Sequence, residues 1–222
     1  MRFSSFLKEF LAISLFLTAV SATSFSWAGA YDDFIYAVKF DDEKRVALML
    51  QRGIDPNSIE EERGETALMI ALRENSMRVF ATLLQHPDIK LEAGSANGDT
   101  ALMLASYLAN FEAVKSLIAT GAKVHRSGWT PLHYAAAAGQ VEIIEYLLDH
   151  AAQIDAISPN RTTPLMMAVS SGRNKAVSVL IERGANLQAR NDAGMTAYDF
   201  ALHYEQKSIA KDLAKRSAQI KP

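Results

Sequence analysis

One pattern constrains this chain more than any other: a threonine-led apolar helix that returns about every 33 residues. The threonines are Thr66, Thr100, Thr130, Thr163 and Thr196, spaced 34, 30, 33 and 33 residues apart. They open the segments TALMIA, TALMLA, TPLHYAA, TPLMMAV and TAYDFAL. Five residues after each stands an alanine: Ala71, Ala105, Ala135, Ala168 and Ala201. Seventeen and eighteen residues after each stand Leu83-Leu84, Leu117-Ile118, Leu147-Leu148, Leu180-Ile181 and Leu213-Ala214. The stretch Gly128 to Leu148 is the clearest copy. Thr130 is placed to cap a helix by accepting a backbone N–H, and Pro131 follows where its missing N–H costs nothing. Gly139 ends that helix, and Ile143, Ile144, Leu147 and Leu148 mark a second one. A sixth unit comes first, with Asp32 as its cap, Ala37 as its alanine and Met49-Leu50 as its late pair. One such helix pair cannot bury its own apolar faces, so the units must stack.

At these residues the chain resembles the ankyrin-repeat family, whose repeat of about 33 residues carries a T-P-L-H core. The resemblance covers residues 31 to 215 or so, with all six units in phase. It implies an all-α solenoid of about six stacked helix–turn–helix units joined by short β-hairpin-like fingers. The units fall near 31–57, 58–92, 93–125, 126–155, 156–188 and 189–217, within a domain of 31–222. In the family, the histidine at the position of His133 is structural, hydrogen-bonding between adjacent repeats. Met69, Met103 and Met166 hold the equivalent positions; they are expected to fill space and not to form such bonds. They lie a repeat apart, about 10 Å, too far to share one copper ion.

Residues 1–30 are a different kind of sequence. Arg2 and Lys8 give a positive start, Phe10 to Val20 is apolar, and Ala28-Gly29-Ala30 supplies small residues for cleavage before Tyr31. This reads as a secretory signal peptide, with an apolar run too short to span a bilayer comfortably. The alternative is an uncleaved anchor. Removing Arg2, Lys8 and Glu9 leaves 21 basic and 24 acidic residues, a net charge of −3. That balance gives no electrostatic reason to expect nucleic acid. With no cysteine in the chain, disulfides, thiolate metal sites and cysteine nucleophiles are excluded.

Several departures from the repeat stand out. In the first unit, Lys39 and Arg45 are expected to put charge on the outer face. Glu60, Glu61 and Glu62 crowd the first finger, either as a solvated tip or as a site for a basic partner. The finger between His125 and Thr130 is three residues shorter than its neighbours, through loop drift or to open a notch. Ala151 stands where glycine would stop a helix, and Arg161 stands where the other fingers have glycine. A positive φ would strain Arg161; Asn160 is the alternative turn residue.

No nucleophile elbow, phosphate-binding glycine loop or zinc-protease helix is present. The five histidines occupy unrelated repeat positions, and the pattern suggests neither enzyme nor cofactor. In a stacked solenoid only the last turn of each inner helix and the finger before it stay free. Those positions give Arg73, Glu74, Tyr107, Leu108, His203 and Tyr204 from the helices, and Glu65, Asp99, Arg126, Trp129 and Met195 from the fingers. Aromatic anchors flanked by polar residues suit a protein interface; the alternative is that Trp129 packs on its own finger and Tyr107 on its neighbour. The expected function is non-catalytic protein binding by an exported, periplasmic monomer with no membrane span after cleavage. It would act through finger tips and the concave inner-helix face. An inhibitory or immunity-type partner of a secreted protein is the alternative, and an enzyme a more distant one.

Overall fold

The computed structural model of the chain describes residues 29–219. Residues 1–28 of the proposed leader lie outside them, while Gly29 and Ala30 of the expected cleavage site open the first helix. Among the described residues there are twelve helices in six pairs. These are α1 (29–39) with α2 (Glu43–Gln51), α3 (Ala67–Arg73) with α4 (Met77–Leu84), and α5 (Ala101–Tyr107) with α6 (Phe111–Thr120). Then come α7 (Pro131–Ala138) with α8 (Val141–Asp149), α9 (Pro164–Ser170) with α10 (Asn174–Glu182), and α11 (Ala197–His203) with α12 (Lys207–Gln219). The first helices of the pairs stack in series, α3 on α5, α5 on α7, α7 on α9 and α9 on α11. The second helices form an outer layer, with α2 on α4 and α6 on α8 on α10. This is the expected all-α solenoid.

The phased alanines explain the stacking. Ala71, Ala105, Ala135, Ala168 and Ala201 are wholly buried, and a bare methyl lets neighbouring backbones approach. Each of their carbonyls also accepts the N–H that closes the turn between helices, from Ser76, Asn110, Gln140, Arg173 and Gln206. That turn needs a left-handed residue. Gly139 and Gly172 supply it in two repeats, and Asp41, Asn75, Ala109 and Glu205 adopt it in the other four. The late leucines Leu83, Leu117, Leu147, Leu180 and Leu213 are buried, whereas in the first unit it is Leu50 and not Met49 that is buried.

The N-caps differ in detail from expectation. Thr66, Thr100, Thr163 and Thr196 hydroxyls each accept the N–H three residues on, at 3.3–3.4 Å. The Thr130 hydroxyl turns instead to His133 Nδ1, 2.9 Å away. Asp32 caps nothing, because the helix already runs at residues 29–31 and Asp32 lies inside it. The methionines also do more than fill space. The Sδ of Met103 and of Met166 accepts the N–H of its threonine, at 3.4 and 3.5 Å, as His133 Nδ1 does for Thr130 at 3.2 Å. Thioether sulfur is a weak acceptor, but it closes the same ring. Lys39 does not face outward: it reaches back to Glu60, with Nζ 3.4 Å from Oε1.

The fingers are turns and not ribbons. Among the described residues the one bridge joins Ile59 and Thr66, antiparallel. Four fingers close on themselves by paired backbone bonds, such as Ser95 N–H to Asp99 O and Gly98 N–H to Ser95 O. The third finger is short, Gly121 to Trp129, and residues 123–129 close no backbone–backbone bond of their own. It leans on the finger before it: Glu92 Oε1 accepts the Lys123 N–H at 2.8 Å, and Arg126 Nη1 donates to Gly98 O at 3.1 Å. Fingers one and two are joined through Asn57, and four and five through Asn160 O and Asp155. Among the described residues no hydrogen bond joins finger three to finger four.

Arg161, not Asn160, takes the left-handed turn, with φ 60° where Gly64, Gly98, Gly128 and Gly194 have 62–81°. An L-residue there costs about 1–2 kcal/mol, partly offset by the entropy glycine would lose. Arg161→Gly is therefore expected to raise stability by about 0.5–1 kcal/mol, read as a higher urea midpoint. A lower midpoint would mean that the exposed Arg161–Asp192 pair, 4.0 Å apart, outweighs the backbone strain.

Candidate functional site

The last turns of the inner helices and the finger bases form one surface, and its N-terminal half holds most of the polar chemistry. Glu65 precedes the α3 cap and is only 6% exposed. Its carboxylate is gripped by Arg73 from the far end of the same helix, with Arg73 Nε donating to both oxygens at 3.1 and 3.0 Å and Nη2 joining them. The bond to Glu65 is the leading reason that Arg73 is held above its ordinary range. One repeat on, Asp99 accepts the Tyr134 hydroxyl. Burial first, then the bond to Asp99, pushes the Tyr134 phenol well up, so it is a donor at any physiological pH. Tyr107 stands edge-on to Tyr134, ring centroids 6.4 Å apart and planes at 82°. Together Glu65, Arg73, Asp99, Tyr107 and Tyr134 line a cavity of about 190 Å³ with Leu104 beneath.

Of the surface positions named from the sequence, Glu65, Arg73, Asp99 and Tyr107 thus share one cavity. Arg126 reaches the neighbouring finger through Gly98. Tyr107 is 53% exposed, with Leu108 exposed beside it and Glu74 exposed at the end of α3. The others do not join them. Trp129 is half-buried and stands edge-on to His133 of its own repeat at 5.3 Å. Met195 packs against the core, and His203 and Tyr204 contact each other at the C-terminal end. Tyr134 was not among the sequence-selected positions, because it lies four residues after its threonine, on a turn assigned to the core. The signal was there: Ile70, Leu104, Met167 and Phe200 hold the equivalent positions, so of the five threonine-led repeats only this one puts a hydroxyl there, and Tyr36 is its counterpart in the first unit.

His133 is fully buried, and burial pushes its pKa down to about 4. Nδ1 accepts from Thr130, so the proton sits on Nε2, which donates to Thr162 O of the next repeat at 2.9 Å. It is a neutral inter-repeat clasp. Among the described residues no group of three or more His, Cys, Asp or Glu is arranged to hold a metal, and no helix is long and apolar enough to cross a membrane.

Comparison with known proteins agrees with this geometry. The family model described as ankyrin repeats (3 copies) matches residues 34–127, 83–158 and 152–222. The human SH3 and multiple ankyrin repeat domains protein 2 is 30% identical over 174 residues, 77% of this chain and 9% of that protein. The human transient receptor potential cation channel subfamily A member 1 is 29% identical over 162 residues, 68% of this chain and 14% of that protein. The human ankyrin repeat and KH domain-containing protein 1 is 40% identical over 105 residues, 45% of this chain and 4% of that protein. The chain thus spans only a small part of each of these much longer relatives. Matched by the family model from residue 34 to residue 222, the chain belongs to the ankyrin-repeat family, whose repeats are protein–protein interaction modules and generally non-catalytic.

Proposed function

We propose that this chain is an exported binding module that holds a protein partner, in the periplasm, against the N-terminal half of its inner-helix surface. The observation that carries the reading is the cavity between Glu65, Asp99, Tyr107 and Tyr134. A repeat stack needs no exposed Tyr107 set against a half-buried Tyr134, and no hydrogen-bonded carboxylates there, to hold together. An interface core of aromatic side chains ringed by polar ones is built this way. Export is supported by Arg2, Lys8, the apolar run and Ala28-Gly29-Ala30. N-terminal sequencing of the protein from its own cell is expected to begin at or near Tyr31; full-length protein in the cytosol would remove the periplasmic assignment.

The binding assignment is tested by capture from an extracytoplasmic extract with mass spectrometry. Tyr107→Ala is expected to leave the chain folded, at a cost of about 0.5–1.5 kcal/mol for the lost edge-on contact with Tyr134, while abolishing capture. Trp129→Ala, by contrast, is expected to lower the melting temperature, since it strips the cover from His133. A Tyr107→Ala variant that captures the partner as well as the native chain would move the site elsewhere. One tight stoichiometric complex would assign an inhibitory role; weaker and broader association would assign a scaffold.

A further inference from the structure

The first repeat carries a second concavity that the reading above leaves unused. A terminal repeat ordinarily shows a polar face to water. Here α1 and the turn after it instead expose Tyr36 (55%) and Phe40 (66%), their ring centroids 4.3 Å apart. Tyr36, with Tyr31, Ile35 and Ile59, walls an open cleft of about 830 Å³ between α1 and the first finger. Two bonds tie these sides together: the Tyr31 hydroxyl donates to Ile59 O, and Lys39 pairs with Glu60. The finger tip is ordered as well, through Glu60 N–H to Glu65 O and Gly64 N–H to Glu60 O, both 2.9 Å, beside the Ile59–Thr66 bridge.

The cleft is apolar in its walls and negative at its rim. Asp32, Glu60, Glu61 and Glu62 face it, against the single ammonium of Lys39. Among the described residues only Glu60 of the four has a cation within 4.0 Å. The field is felt at Tyr31, whose phenol is raised by burial first, and then by Glu61, Glu60 and Asp32. From these walls and this charge we infer that the cleft docks a basic, extended peptide segment of the partner, with lysine or arginine side chains at the acidic rim and an aliphatic side chain between Tyr31, Tyr36 and Ile59. The inference rests on the interaction-module reading and gives its partner a chemistry. Both features are needed: the rim supplies attraction and steering, and the aromatic walls supply the apolar contact that bulk charge lacks.

The test uses the protein as its cell makes it and three labelled, end-capped heptapeptides read by fluorescence anisotropy. One alternates lysine with leucine, one lysine with glycine, and one glutamate with leucine. The lysine–leucine peptide is expected to bind at least tenfold more tightly than the lysine–glycine peptide, and the glutamate–leucine peptide not to bind. Glu61→Lys with Glu62→Lys, both exposed at a turn, is expected to weaken lysine–leucine binding at least tenfold. Glu142→Lys with Glu145→Lys makes the same change of net charge on the outer helix α8 and is expected to leave binding unchanged. Tyr36→Ala is expected to bring the lysine–leucine peptide down to the lysine–glycine level. Equal weakening by the two charge reversals would reduce the effect to general electrostatics and overturn the proposal, as would binding that ignores Tyr36. A synthetic peptide of residues 1–28 that binds the cleft more tightly than the lysine–leucine peptide would assign it to the chain's own leader and also overturn the proposal. If partner capture still depends on Tyr107 while these peptides fail, the cleft assignment falls and the interaction-module reading stands.

Discussion

Ala135→Leu is expected to destabilise the chain by about 1–3 kcal/mol or more. Ala135 has no exposed surface. It lies on α7, packed between α5 and α9, and its carbonyl accepts the N–H of Gly139 and of Gln140 at 2.9 Å. Three added carbons must push a neighbouring helix away or shift α7, and a shift strains that doubly bonded turn. Stability in a repeat array is a sum of unit and neighbour-interface contributions. The damage should therefore spread, with hydrogen-exchange protection falling in α5 and α9 as well as in α7. Ala214→Leu, at an exposed position of α12, is the control and is expected to change stability by less than about 0.5 kcal/mol. An unchanged melting curve for Ala135→Leu would contradict the assigned stacking.

The second large effect is a dependence on acid. His133 has an ordinary pKa of 6.5 that burial lowers to about 4. Between those values the unfolded chain binds a proton that the folded chain refuses. Its contribution is whole above pH 6.5 and is lost as pH falls toward 4, amounting to about 3 kcal/mol. His133→Met isolates it, because Met103 and Met166 already fill the same position and accept the same threonine N–H. At pH 7 the variant should be less stable by about 1–3 kcal/mol, since Thr162 O loses its donor. That gap should close by roughly 3 kcal/mol between pH 7 and pH 4, measured by urea unfolding of both proteins across the range. A gap that stays constant with pH would mean that the imidazole is not held neutral by burial.

Most of the fold was legible because repetition multiplies a weak local signal. One TPLH is little evidence, but threonines, alanines and leucines kept in phase leave a stacked solenoid as the only way to bury every face. What the repeat could not convey was anything peculiar to one copy. Asp32 looked like a cap because it stood in register, yet α1 runs on through it. Lys39 was expected on the outer face of the first unit, but the fold brings the first finger back to α1 and offers it Glu60. The methionine sulfurs were read by shape, although the geometry that suits His133 Nδ1 brings a thioether to the same N–H. The candidate surface was half legible. Position in the repeat selected Glu65, Arg73, Asp99 and Tyr107, while Tyr134 needed the hydrogen bond to Asp99 to be noticed, a pairing across 35 residues.

The missing hydrogen bonds between the third and fourth fingers have a mechanical consequence. Fingers one to three form one laced comb, and fingers four and five a second, while the helices beneath the seam are joined by the packing of α7 on α9, by the His133 clasp, by Arg173 Nε–H to Ala137 O and by the Arg183–Asp149 pair. The packing of α7 on α9 is more extensive than that of α3 on α5 or of α9 on α11, so any give at this seam belongs to the finger tips and not to the helix stack. Parting of the tips at that point would leave the lacing of fingers one to three intact, so the acidic cleft and the Tyr107 cavity sit along one hydrogen-bonded row.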